Sequence, residues 1–263
     1  MQEPPERELI KYHGVQIEVL LRGRGPLIVM LPSGGRGAED FDAVAARLAA
    51  EGFRVACPQP RGIGASTGPM SGISLHDLAN DVAAVIRHEG GAPAVVVGHA
   101  YGNWVARMIA ADHPELVRGT VIAAAGIKDY PKDIADAVVR CAQPNLPKQE
   151  RLASLRIAFF APGNDPSVWL GGWYPEVMHA QHQASLATSP DEYWKAGKAP
   201  LLDLPAADDP FRPPASRQDI QRELGADRVT VVVIPNASHS LMPEQPAATA
   251  KAIAEWVRSL GGP

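Results

Sequence analysis

Apolar positions along this chain fall into short blocks whose period changes from one block to the next. In VQIEVLLRGRGPLIVMLPSGG (residues 15–35) an alternating run gives way, after a glycine turn, to the unbroken apolar stretch Leu27 to Leu31. Alternation marks a strand buried on one face, and a continuous run fits a strand covered on both faces by helices. A helical pattern from Glu39 to Glu51 comes next, then the strand FRVACP and the loop QPRGIGAST. The pattern further predicts a helix from about Ser74 to His88, the strand PAVVVG, and a helix from about Gly102 to Asp112, stopped by His113 and Pro114. VRGTVIAAAG reads as another buried strand. Strand and helix alternate here at the spacing of right-handed crossovers, which predicts an α/β fold with a doubly wound, mostly parallel sheet.

That rhythm lapses after Gly126. Residues 127–198 read as helical fragments broken by proline and glycine, with Trp169, Trp173, Tyr174, His179 and His182 close together. The sheet pattern then resumes: APLLDLPAADDP is a strand entering an acidic loop, and VTVVVIPNASHS is a strand entering a histidine loop. PAATAKAIAEWVRSL closes the chain as an amphipathic helix. The expected organisation is one core, residues 1–126 and 199–263, with a helical cap insertion at 127–198. The insertion would lie over the carboxyl ends of the strands, where open sheets bind ligands.

Composition narrows the partners. The 263 residues are 46% hydrophobic and 21% charged, the balance of a globular protein with a sizeable core. A net charge of -4 without basic clusters argues against nucleic acid. No stretch reaches the length of a membrane span, and MQEPPERELIKYHG lacks the apolar core of a signal peptide, so a cytoplasmic location is expected. Cys57 and Cys141 show neither metal-ligand spacing nor a disulfide framework and read as reduced, buried thiols. No cofactor motif and no metal site is expected. The expected partner is a small-molecule substrate, with a homodimer left open.

The chemistry gathers in three loops, each after a predicted strand. VVVGHAYGNW (residues 95–104) has the layout of a nucleophile elbow, Gly-x-Ser-x-Gly, but Ala100 stands where the serine belongs. AADDPFRP carries Asp208 and Asp209, and PNASHSLMPEQP carries His239. With LPSGG and PRGIGAS, this order of elbow, acid and histidine resembles the α/β-hydrolase fold superfamily over essentially the whole chain. The resemblance implies His239 as general base and Asp209 as its orienting acid, since relatives place a proline four residues on, here Pro213; Asp208 is the rival. It also implies an oxyanion hole from the backbone amides of Gly34 and Tyr101. His99 is expected to pack beneath the turn. Ser33, Trp104, Trp169 and Trp173 are the candidate substrate-binding residues, although Trp169 and Trp173 could equally pin the insertion to the core. His179 and His182 share a helix face, but no third ligand points to a metal, and solvated side chains are the plainer reading.

The chain departs from its relatives twice. Residue 100 offers no nucleophile, and Pro32-Ser33 replaces the histidine-glycine pair usual in the oxyanion loop. An engineered serine-to-alanine change at the elbow explains only the first departure; a natural branch working without the elbow serine explains both. The expected function is therefore an enzyme acting on a small or medium apolar carbonyl substrate (an ester, lactone or β-dicarbonyl) through a His-Asp base and backbone amides. A serine esterase inactivated at the elbow and a non-catalytic ligand-binding protein are the alternatives, and Ser33 is a candidate relocated nucleophile.

Overall fold

The computed structural model describes residues 4–126 and 131–261. Residue 127, where the insertion was expected to begin, and the chain ends 1–3 and 262–263 lie outside the described residues. Eight strands form one sheet: β1 (Glu6–Tyr12), β2 (Val15–Arg22), β3 (Leu27–Leu31), β4 (Arg54–Pro58), β5 (Ala94–His99), β6 (Val117–Ala123), β7 (Leu201–Leu204) and β8 (Val229–Val231). Their order is β1-β2-β4-β3-β5-β6-β7-β8. β2 runs antiparallel to both β1 and β4, and every other pairing is parallel. This is the doubly wound, mostly parallel α/β sheet.

Helices cover both faces. α1 (Asp42–Ala50) and α10 (Pro246–Ser259) pack together, as do α2 (Leu75–Glu89) and α3 (Gly102–Asp112). Alternate residues of the central strands divide between the two layers. Leu27, Val29 and Leu31 of β3, with Ala94 and Val96 of β5, join the α2–α3 layer; Ile28, Met30, Val95 and Val97 join the α1–α10 layer. This is why β3 and β5 carry no polar alternation, and each fully buried valine or isoleucine contributes roughly 1.5–3 kcal/mol. The helix expected from Glu39 begins with a 3-10 turn at Ala38–Phe41. Ser74 and Asp77 form a capping box that fixes the start of α2.

Between β6 and β7 run α4 (Lys132–Cys141), α5 (Lys148–Ala158), α6 (Pro175–Leu186) and α7 (Pro190–Tyr193). Ile134, Ala137, Cys141, Leu155, Phe159, Phe160 and Trp169 form a third apolar cluster there, which reaches the core through Phe211. After β7, α8 (Asp219–Leu224) precedes β8, and α9 (Leu241–Glu244) follows the histidine loop. Cys57 and Cys141 are buried free thiols. Among the described residues no helix is long and apolar enough to cross a membrane.

Strand order reverses at β3, whose neighbours are β4 on one side and β5 on the other. A crevice opens outside the carboxyl ends of strands at such a point. The loops after β3 and β5 therefore lie side by side.

Candidate active site

The turn after β5 is tight because its glycines leave no alternative. A side chain at Gly98 would put its Cβ 2.2 Å from the Gly102 carbonyl oxygen, and one at Gly102 would lie 2.3 Å from that of Leu31. Ala100, at the apex, has φ +48, the left-handed region that a residue with a Cβ enters at a cost of about 1–3 kcal/mol. Its N–H donates to the Ala123 carbonyl at 2.9 Å, and its own carbonyl accepts from the Asn103 N–H at 3.1 Å. The strained elbow is intact with a methyl group at its tip.

The loop after β3 faces it. A Cβ on Gly34 would touch that of Tyr101 at 3.5 Å, so the two walls are in contact. Among the described residues no acceptor takes the backbone N–H of Gly34 or of Tyr101. Two donors at a helix N-terminus and a facing glycine turn suit a developing oxyanion. Ser33, buried, lies on the same wall.

The histidine and acid loops meet across β7 and β8. His239 Nδ1 and Asp209 Oδ2 are 2.9 Å apart, and the other Asp209 oxygen accepts from the Phe211 N–H at 2.8 Å. Asp208 is exposed, and its main chain joins the two loops: its N–H donates to Ala237 O at 2.8 Å and its carbonyl accepts from Ser238 Oγ at 3.1 Å. Of the two aspartates, only Asp209 reaches the imidazole. With Nδ1 held by a carboxylate, Nε2 is the nitrogen left for a reacting group. The Glu244 carboxylate braces this loop by accepting from Ser238 N, Ser240 Oγ, Ala161 N and Asn164 Nδ2 at 2.7–3.1 Å.

His99 ties elbow to histidine loop. It is fully buried and its Nε2 donates to the His239 carbonyl at 2.6 Å. Burial pushes its pKa down to about 3, with His239 adding to the effect, so the ring is neutral at ordinary pH.

These groups border one cavity of about 250 Å³. Ser33, Gly34, Ala100, Tyr101, Trp104, Trp173 and His239 all line it, and the rest of its wall is chiefly apolar. Trp169, a sequence candidate for substrate contact, does not line it. Its indole is 1% exposed, edge-on to Trp173 at 5.8 Å, with the Arg36 guanidinium 4.4 Å from its ring centre. Trp169 therefore serves the third apolar cluster, because Arg36 and Phe159 occupy its faces. Met178 of α6, which the sequence did not single out, lines the cavity; so does His182, which is exposed as expected, whereas His179 is exposed and does not line it. A larger open groove of about 810 Å³ runs along β1 and α2 and shares no lining residue with this cavity.

One group among the described residues has metal-ligand spacing. Glu8, His88 and Glu89 bring ligand atoms within 4.8 Å of one another, but Glu89 is ion-paired with Arg54 at 2.8 Å, and none of the three borders the cavity.

Known proteins resemble this chain in sequence and in shape. An uncharacterized protein of Mycobacterium tuberculosis (strain ATCC 25618 / H37Rv) is 31% identical over 163 residues, 60% of this chain and 45% of its own length. The 2-(acetamidomethylene)succinate hydrolase of Mesorhizobium japonicum is 32% identical over 107 residues, 41% of this chain and 38% of its own. The chain thus spans under half the length of these curated relatives. The crystal structure of an esterase from Rhodococcus sp. ECU1013 superposes with a TM-score of 0.78 at 23% identity, covering 98% of this chain and 100% of the other. The family model described as the alpha/beta hydrolase family matches residues 28–252, and the chain belongs to that family.

Proposed function

We propose that this protein hydrolyses a small or medium, largely apolar carbonyl substrate, of ester, lactone or β-dicarbonyl type, by direct attack of water and without an acyl-enzyme. The supporting observation is the 2.9 Å His239–Asp209 pair, whose imidazole borders the same cavity as Ala100, Gly34 and Tyr101. His239 Nε2 takes a proton from water as the water oxygen attacks the substrate carbonyl carbon. Asp209 holds the ring and stabilises the imidazolium that forms. The Gly34 and Tyr101 amides receive the oxyanion, a few kcal/mol each, on the order of 3. When the tetrahedral intermediate collapses, the imidazolium returns its proton to the leaving oxygen or carbon. The methyl of Ala100 leaves room at the elbow for the water. The helices between β6 and β7 act as the cap, and their apolar side chains with the 250 Å³ cavity favour a compact substrate with one polar centre. The names of the hydrolase and esterase relatives fit this class.

The test is a screen of activated esters, lactones and β-dicarbonyls on wild type and His239→Gln. Turnover abolished by the substitution is the expected result. Ligand binding that survives it without any turnover in wild type would make the protein a binder. A fluorophosphonate should leave the elbow unlabelled, and labelling at Ser33 would move the nucleophile there.

A further inference from the structure

The geometry points to Gln181 of α6 as the positioning residue that holds both walls of the oxyanion hole in register; this rests on the hydrolytic reading above. Its side-chain oxygen accepts from the Gly35 N–H at 2.8 Å, and its backbone carbonyl accepts from the Tyr101 hydroxyl at 2.8 Å. Gly35 follows Gly34, whose amide forms one half of the hole, and Tyr101 supplies the other. One residue outside the core sheet therefore bonds to both sides.

Three further contacts make this a built junction. The Tyr174 N–H, at the start of α6, donates to the Gly35 carbonyl at 2.9 Å. Arg36 and Trp173 form an isolated antiparallel bridge. Gly35 itself has φ +64, and a Cβ there would lie 2.7 Å from that of Met178. The loop that carries Gly34 is thus pressed against α6 so closely that only glycine fits, and both polar groups of the Gly35 peptide end on α6. Gln181 is 7% exposed, so its bond to Gly35 is made away from water, where losing the acceptor leaves a buried N–H unpaired.

This explains how the site dispenses with the histidine-glycine pair its relatives carry in this loop. Pro32 and Ser33 offer the loop no comparable side-chain brace, and the brace comes from α6 instead. Gln181 touches no reacting atom. It fixes where the Gly34 and Tyr101 amides point, and a donor displaced by an ångström loses much of its worth in the transition state.

Gln181→Met keeps the length and removes the acceptor; Tyr101→Phe removes the second link and serves if the first variant folds poorly. The probes are p-nitrophenyl butyrate for turnover, n-butylphosphonate as the anionic mimic of the intermediate, and amide resonances of the 15N-labelled protein. Expected for each variant are a fall in kcat of roughly 10- to 100-fold with KM within about 2-fold, weaker phosphonate binding by a similar factor, and displaced Gly34 and Tyr101 amide resonances. Unmoved amide resonances, or a change confined to KM, would overturn the role of Gln181. Wild type that neither turns over the ester nor binds the phosphonate would sink the hydrolytic reading, and the resonances would still decide on Gln181.

Discussion

A single methyl group decides which mechanism this site can run. Ala100 holds φ +48 with Gly98 and Gly102 packed against backbone, so the turn is strained although its apex carries no hydroxyl. On the proposed mechanism, that strain serves to present the Tyr101 amide to the cavity. Ala100→Ser therefore separates two histories. In an enzyme built for direct attack by water, the new hydroxyl displaces the water, and hydrolysis of activated esters changes by less than about 10-fold. A gain of several orders of magnitude would mark an esterase that has merely lost its serine. His99, one residue earlier, offers a second test. Its imidazole takes a proton near 6.5 in the unfolded chain and only near 3 in the fold, because burial opposes the charge. Its folded pKa is depressed, so its contribution to stability is present above about 6.5 and drains as pH falls toward 3. Across that window the unfolded state binds the extra proton, with a slope of about 1.4 kcal/mol per pH unit. Urea unfolding between pH 6 and 4 should show this excess slope in wild type and not in His99→Gln, which keeps a donor for the His239 carbonyl. Equal slopes would mean that His99 titrates normally.

Helices and strands of the core were readable because their environment is written in period. α3 spans Gly102–Asp112 as the pattern indicates, and β3 and β5 follow from unbroken apolar runs. β1 escaped because ERELIKY is an edge strand that fully buries only Ile10, so charge masks its alternation. β8 is shorter than VTVVVIP suggests, although pairing continues through Val232 N–H to Asp203 O and Ile234 N–H to Pro205 O. The side of the site formed by the helices between β6 and β7 was the least readable. The buried positions of α6, Val177, Ala180, Gln181 and Ala184, do repeat at helical spacing, and a glutamine on that stripe was the available clue. Contacts between such short helices and the loops beneath depend on where proline and glycine turn the chain, and periodicity does not encode that. One tie between the helices that follow β6 and the rest of the core is open to experiment. His76, in the first turn of α2, reaches Asp112 of α3 at 2.8 Å and Glu192 of α7 at 3.1 Å. The hydrogen bond with Asp112 raises its pKa above 6.5, with Glu192 adding to it. A raised value means that the stabilisation is complete below 6.5 and lost as pH climbs through the folded pKa. His76→Gln should accordingly lower Tm at pH 5.5 and by clearly less at pH 9. An undiminished difference at pH 9 would assign the tie to neutral packing.

The four loops of the site come from distant parts of the chain, and the sheet makes them neighbours. What anchors the acid loop to that sheet is a buried ion pair. Arg212, three residues after Asp209, bonds to Asp203 of β7 at 2.8 Å, to the Ala125 carbonyl beyond β6 at 2.8 Å, and to Ser216 O at 3.0 Å. Neither partner is more than 2% exposed. Burial pushes the Asp203 carboxyl up, and the charge of Arg212, with Arg107 adding to it, pulls it back, so each partner helps the other tolerate its position. Removing one partner should hurt more than removing both. Arg212→Met takes away the guanidinium bonded to Asp203, leaving only the field of Arg107, and should cost about 3–5 kcal/mol in urea unfolding. Adding Asp203→Asn to it should recover part of that loss, giving a coupling energy of about 1–3 kcal/mol in the double-mutant cycle. Arg212 sits on the loop that carries Asp209, its backbone N–H donating to the Asp209 carbonyl at 3.1 Å, so on the proposed mechanism turnover in Arg212→Met should stay depressed under conditions where the variant is fully folded. Additive energies would reduce the pair to two independent packing positions, and wild-type turnover in the folded variant would free the acid loop from Arg212 altogether.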